Sequence, residues 1–329
     1  MSTAILWFRQ DLRCQDNPAL TEACENHQFI IPIYIASKNP RESLGGAQGW
    51  WLHYSLLALQ KELKKKGLDL CLKRGLPLTI LKDLIKEYKV EAVYWNRCYD
   101  PARIEQDKTI KGELKNLGLR VKSFNSHLLN EPWTIKNKSG ENFQIFSPYW
   151  KQSLRQIEVP KANPIQHWPT SPAFKSEQLA DWSLLPTQPN WAREFANFWE
   201  PGEPGASKKL NFFIEHHLNS YKDYRNEPSR AVTSRLSPHL HFGEISPWHI
   251  WRAVEELKLV PGCDLHSIEH FLSELGWREF SHYLLYHYPS LANKNFKPEF
   301  DAFAWQDNHQ NLERWQKGLT GLYGIWAMP

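Results

Sequence analysis

Apolar and polar positions along roughly the first 128 residues alternate between two periods. Short apolar runs at 4–8 (AILWF), 29–36 (FIIPIYIA), 69–73 (DLCLK), 91–95 (EAVYW) and 120–124 (RVKSF) are strand-sized and rich in Ile, Val, Tyr and Trp. They predict strands. Helical stretches at 47–66, 77–88 and 102–117 lie between them, the first with Trp51, Tyr54, Leu57 and Leu63 at helical spacing. Such alternation predicts an α/β fold, a doubly wound parallel sheet covered on both faces. Residues 129–205 lose the rhythm: ten prolines and six tryptophans, Trp133 to Trp199, predict a long surface connector without elements, pinned by its aromatics. From 206 the periodicity is helical, at 207–219, 247–257, 264–288 and 309–316, with a turn near 223–229. The expected organisation is an α/β domain at 1–130, a connector at 131–205 and an all-α domain at 206–329.

Composition narrows the function classes. With 41% hydrophobic residues and 40 basic against 36 acidic side chains, the 329-residue chain can fill cores for about two domains, and disorder is excluded. No apolar run approaches the ~18–20 residues of a membrane helix. The opening MSTAILWFRQDLR reads as a first strand rather than a signal peptide. Five cysteines without a C-x-x-C predict reduced thiols and a cytoplasmic protein. A net charge of +4 is too small for a protein that coats DNA, so any DNA contact needs a local patch. Tryptophan is the outlier at 16 residues, ten of them after residue 150.

No G-x-G-x-x-G or G-x-x-x-x-G-K-[ST] occurs, so a phosphate would be held elsewhere than by a glycine loop. The candidate is TSRLSPHLHFGEISP at 233–247, where Ser237-Pro238 and Ser246-Pro247 match an N-cap followed by Pro at the first helical position. Thr233, Ser234 and Arg235 would add hydroxyls and a cation beside such a helix end. Two ordinary caps explain the same spacing. On the helix 264–288, Glu274, Trp277 and Arg278 fall at i, i+3 and i+4, with Phe271 a turn earlier. They make either an exposed Glu–Arg pair with Trp277 in the core, or a flat-ligand platform with polar groups at its edge. His239 and His241 have no carboxylate or Cys at ligand spacing, His216 and His217 point to different faces, and no metal site is expected. Tyr221, Lys222, Arg225 and Arg230 interleave aromatic and basic groups, as a DNA-facing rim would.

Longer motifs then point to a family. W-F-R-x-D-L-R-x-x-D-N-x-A-L is met from Trp7 to Leu20, Y-x-x-x-R-N-x-P from Tyr221 to Pro228, T-S-R-L-S-P-x-L-x-F-G at 233–243, and E-L-x-W-R-E-F at 274–280. In these residues the chain resembles the photolyase/cryptochrome flavoproteins, and within them the bacterial cyclobutane pyrimidine dimer photolyases, from Leu6 to about Gly321. The resemblance implies that Tyr221, Thr233, Ser234, Arg235, Leu236, Ser237, Phe271 and Arg278 hold FAD. It implies that Glu274 and Trp277 meet a flipped-out dimer in UV-damaged DNA, with Arg225 and Arg278 also at the DNA. Trp305 matches the outermost tryptophan of an electron-transfer chain, and relatives often carry Trp where Phe271 stands. The implied reaction is light-driven dimer splitting by an electron from reduced FAD, in a protein that is a monomer when complete. An antenna, methenyltetrahydrofolate or deazaflavin, is implied near Gly45–Trp51 and Trp95–Asp100.

After Trp315–Gly321 the resemblance is expected to stop. The family continues into helices that carry further flavin, DNA and relay residues, whereas this chain reads Leu322 to Pro329. The expectation is therefore a truncated or frameshifted product whose all-α FAD-binding domain is incomplete and holds FAD weakly or not at all. The alternative to a photolyase is an inactive remnant or a cryptochrome-like blue-light photoreceptor without repair activity.

Overall fold

In a computed structural model, residues 2–162 and 164–321 are described. Five parallel strands, β1 (Thr3–Phe8), β2 (Phe29–Ala36), β3 (Cys71–Arg74), β4 (Ala92–Asn96) and β5 (Arg120–Phe124), form one sheet in the order β3-β2-β1-β4-β5. The crossovers carry α1 (Pro18–Asn26), the short α2 (Pro40–Ser43), α3 (Gly46–Lys65), α4 (Pro77–Tyr88) and α5 (Pro101–Asn116). Leu20, Trp50, Leu56 and Leu63 close one face of the sheet; Leu81, Leu84, Ile110 and Leu114 close the other. Both faces are dry, which is why the strands read as unbroken apolar runs. Local chemistry starts the helices as well: Asn17 and Asp100 cap α1 and α5, each followed by a proline.

Strand order reverses between β1 and β4, and a polar cluster fills the space beyond their carboxyl ends. The Asp11 carboxylate accepts from the Arg9 N–H and from Asn96 Nδ2, both at 2.6 Å. Asn17 Nδ2 donates to the Arg13 carbonyl at 3.0 Å. Much of the N-terminal motif is therefore loop architecture at the switch point.

The connector differs from its expected form. It contains α6 (Phe146–Leu154), whose Tyr149 is buried against Phe280 and Tyr283 of the helical domain. Elsewhere it does lie along the sheet, with Thr170 bridged to Phe29 and Trp182 buried against Tyr34. The missed helix has no capping side chain, and its proline lies inside the first turn. Its apolar face is covered by the long helix at Leu265–His287, a partner distant in sequence.

The helical domain comprises α7 (Glu203–His216), α8 (Tyr221–Tyr224), α9 (Ser237–Phe242), α10 (Pro247–Glu255), α11 (Leu265–His287) and α12 (His309–Gln316). Phe213, Leu236, Trp248, Trp251, Phe271 and Leu275 are in its core. Ser246 caps α10 as expected, accepting from the His249 N–H at 2.9 Å, and Asp264 caps α11. Ser237 does not act as a cap: α9 starts at Ser237 itself, after Leu236, without a side-chain cap.

The two domains meet tightly at Gly243. Its φ is +67°, and a Cβ there would lie 1.9 Å from the Gln10 carbonyl oxygen. Leu12 N–H donates to the Phe242 carbonyl at 3.1 Å, and the buried Arg13 donates to the Gly243 carbonyl at 2.9 Å. Gly243→Ala is expected to destabilise the protein by at least about 2 kcal/mol, because the left-handed turn and the backbone approach fail together. Urea unfolding measures this, and a loss below about 0.5 kcal/mol would contradict the packing described.

Candidate functional site

A cavity of about 530 Å³ lies where the switch point faces the helical domain. The sheet domain contributes Gln10, Tyr99, Asp100 and His127, from the loops after β1 and β4 and the segment after β5. Tyr221, Ser234, Leu236, Ser237, Phe271, Glu274 and Arg278 come from the helical side, with His241, Leu275 and His282 among the remaining walls. Ligands in open α/β sheets collect beyond the strand ends at a switch point, and the helical domain roofs that position.

Of the eight side chains expected at a flavin, six line this cavity: Tyr221, Ser234, Leu236, Ser237, Phe271 and Arg278. Thr233 and Arg235 are exposed just before it, Arg235 at φ +51°. The helix-end phosphate site in its simple form is not what the structure builds, since α9 is only six residues long. Hydroxyls of Ser234 and Ser237 instead join a wall shared by several elements.

The i,i+4 pairing of Glu274 with Arg278 is not formed. Glu274 is bonded by Arg225 from the segment after α8, whose guanidinium also lies 5.2 Å above the Tyr221 ring. Arg278 turns the other way: it donates to the His127 carbonyl and meets His127 Nε2, both at 2.8 Å, and reaches Glu279 at 3.3 Å. Trp277 is neither in the core nor among the cavity walls. It is 48% exposed and stacked on Phe146 of α6, with ring centroids 3.8 Å apart and planes 11° apart. One face is covered and the ring is held rigid, which suits a stacking platform. Trp305 is 76% exposed and meets Phe303 at a tilt, with ring centroids 4.8 Å apart and planes at 56°.

His239 has a carboxylate partner that motif spacing missed: Glu244, fully buried, accepts from His239 Nδ1 at 2.5 Å and from Trp51 Nε1 at 3.0 Å. In the segments expected near an antenna, Trp50, Trp51 and Trp95 are buried. The Trp191 ring lies over Gly46, while Tyr99 and Asp100 face the interdomain cavity.

Sequence reading also missed His127 and His282, which appear in no motif pattern, and weighed His241 only as a metal ligand. His127 sits between the Tyr99 ring, stacked at 6.5 Å, and the His282 edge at 5.3 Å. Burial, and then the Arg278 guanidinium, hold His127 well below the usual histidine range and His282 at about 4. Burial pushes the Glu279 carboxyl up to about 7, although it accepts from the Leu129 and Asn130 N–H groups.

Against this geometry stand the comparisons. The DNA photolyase family model matches residues 4–170, and the model for the FAD binding domain of DNA photolyase matches residues 271–328. The chain belongs to the DNA photolyase family. Among family members it is 43% identical over 325 residues to a deoxyribodipyrimidine photo-lyase of Agrobacterium fabrum, covering 96% of this chain and 66% of the relative. Cryptochrome-2 of Arabidopsis thaliana is 32% identical over 333 residues, covering 96% of this chain and 54% of the relative. The crystal structure of a class III photolyase from Agrobacterium tumefaciens superposes with a TM-score of 0.91 at 43% identity, over 98% of this chain and 66% of that one. The chain thus spans about two thirds or less of the length of these photolyase-family relatives. The second family match continues to residue 328, beyond Gly321; residues 322–329 lie outside the described residues.

The site's histidines set a pH dependence. As pH falls below about 6.5 the unfolded chain protonates His282, while the folded chain resists until about 4, so stability is lost across that window. Glu279 acts with the opposite sign between about 4.5 and 7, because its folded state takes up the proton first. His282→Gln is therefore expected to flatten the acid-side loss, read as urea midpoints at pH 7.5, 6 and 5. A variant whose midpoints fall in parallel with the parent's would refute the burial argument.

Proposed function

We propose that this chain carries the working site of a deoxyribodipyrimidine photo-lyase, with FAD in the interdomain cavity and a pyrimidine dimer of UV-damaged DNA at its mouth. The observation that carries this reading is the convergence of six flavin-assigned side chains on one cavity beside Glu274, with Trp277 on the same helix. The walls fit such a cofactor: Leu236, Leu240, Ile250, Phe271 and Leu275 offer apolar surface for a flat ring system, and Ser234, Ser237 and Arg278 offer donors for phosphates. A bound reduced flavin supplies an electron upon excitation by light.

The chain's own residues do the rest. Phe146 holds Trp277 so that its open face stacks on a flipped base, and Glu274 hydrogen-bonds the edge of that base. His127 fixes Arg278 through a carbonyl and a ring nitrogen, so the guanidinium enters the cavity in one orientation. The helical roof and the sheet-domain loops keep water from the reacting pair. Thr233 and Arg235 contact the cofactor from outside the described cavity wall, and Trp305 passes electrons from the surface. A methenyltetrahydrofolate or deazaflavin antenna belongs to the α/β domain. Among the described residues no helix is long and apolar enough to cross a membrane, and the five free cysteines suit the cytoplasm. A blue-light photoreceptor without repair activity is the competing reading, favoured by the 32% identity to cryptochrome-2.

Two measurements separate these readings. Because six assigned side chains line one cavity, the purified chain mixed with FAD is expected, against the weak or absent binding expected from sequence, to retain a flavin visible band, and under blue light with a reductant to remove the dimer from an irradiated oligothymidylate. Trp277→Ala is expected to weaken binding of that oligonucleotide by about 10- to 100-fold, the scale of one base–aromatic stack. Flavin retention without light-dependent repair would support the photoreceptor instead. Absence of the flavin band would sink both.

A further inference from the structure

Two of the four side chains assigned to DNA contact are bonded to each other. Arg225 and Glu274 form a salt bridge at the rim of the cavity, with side-chain exposures of 21% and 35%. Glu274 is one of the cavity walls, so the pair joins the cavity lining to the neighbouring surface. Arg225 is held in place by the Tyr221 ring beneath it, which lines the same cavity. The surrounding surface supplies further cations: Lys222 and Arg230 are exposed within a few residues, and the Arg230 guanidinium lies 3.8 Å over the Tyr224 ring.

A part-exposed guanidinium bonded to a carboxylate has one strong competitor in a DNA complex, a backbone phosphate, which offers the same planar fork two oxygens and a full charge. A carboxylate released from its guanidinium regains acceptor capacity that a base N–H can use. We propose that Arg225–Glu274 is a phosphate-operated latch: strand phosphate takes Arg225, and only then is Glu274 free to accept from a base entering the cavity. Arg225 is thereby a positioning residue for Glu274 as well as a strand contact. The latch rests on the photolyase reading above and adds to it an order of events. It also favours damaged strands, because undamaged DNA must break the ion pair without gaining the base contact.

A double-mutant cycle on the full chain tests the latch, with Glu274→Gln, Arg225→Gln and the double variant titrated with undamaged oligothymidylate and with the same strand carrying one dimer. Glu274→Gln is expected to bind undamaged strand about two- to fivefold more tightly, the scale of a part-exposed ion pair, because Arg225 starts free. In the Arg225→Gln background that gain is expected to vanish, and the slope of log Kd against log salt is expected to fall by about one. On the dimer strand Glu274→Gln is expected to weaken binding, since the base contact is lost. An equal gain on undamaged strand in both backgrounds is a general charge effect and would overturn the latch alone. No preference of the parent for the dimer strand would overturn the photolyase reading and the latch with it.

Discussion

Everything at this site depends on how Arg13 is buried. Its guanidinium, 2% exposed, has no carboxylate within hydrogen-bond distance; it donates to the carbonyls of Gln15, Asp16, Ser126 and Gly243 and to the Ser126 hydroxyl. Asp11, Asp16 and Glu203 balance the charge from farther off. A buried cation tolerates this only if every donor is satisfied, and satisfying them requires the loop after β1, the segment after β5 and the turn after α9 to converge. Those three segments border the cavity.

The same joint explains why the cavity is where it is. A doubly wound sheet leaves a crevice at its switch point, open to solvent in the sheet alone. Pressing Gly243 against Gln10 sets α9 over that crevice and brings Ser234, Ser237 and His241 opposite Tyr99 and His127. The polar groups that result are largely in partnership with one another across the joint, Arg278 with His127 and Ser246 with Asp16. Cofactor-binding geometry in this chain is thus a property of an interface between two domains, and each half alone presents only part of it.

The aromatic surplus follows a related logic. Trp182, Trp191 and Trp199 fasten the connector to the sheet domain, whereas Tyr149 and Phe146 of α6 reach across to α11. A connector of this length costs conformational entropy unless it is anchored, and large rings bury much area for few rotatable bonds. Phe146 doubles as the support of Trp277, so an anchoring residue also fixes the orientation of that ring.

Periodicity alone placed most of the elements. The strands at 29–36 and 120–124 and the helices at 77–88 and 309–316 match residue for residue, the helices marked locally by Pro77 in the first turn of α4 and by Asn308 capping α12, whereas α1 at 18–26 was not among the helices expected. The family motifs likewise located Glu274, Trp277 and the 233–237 segment. What local pattern could not carry was partnership. Glu274 sits at perfect spacing for Arg278, yet the tertiary structure assigns it to Arg225, 49 residues away, and gives Arg278 to His127, 151 residues away. An i,i+4 pair is worth only a few tenths of a kcal/mol, so the interdomain contacts easily override it. The helix α6, the carboxylate partner of His239 and the three cavity histidines were hidden for the same reason: each gains its meaning from a neighbour distant in sequence or across a turn, and only the packed chain brings that neighbour into contact.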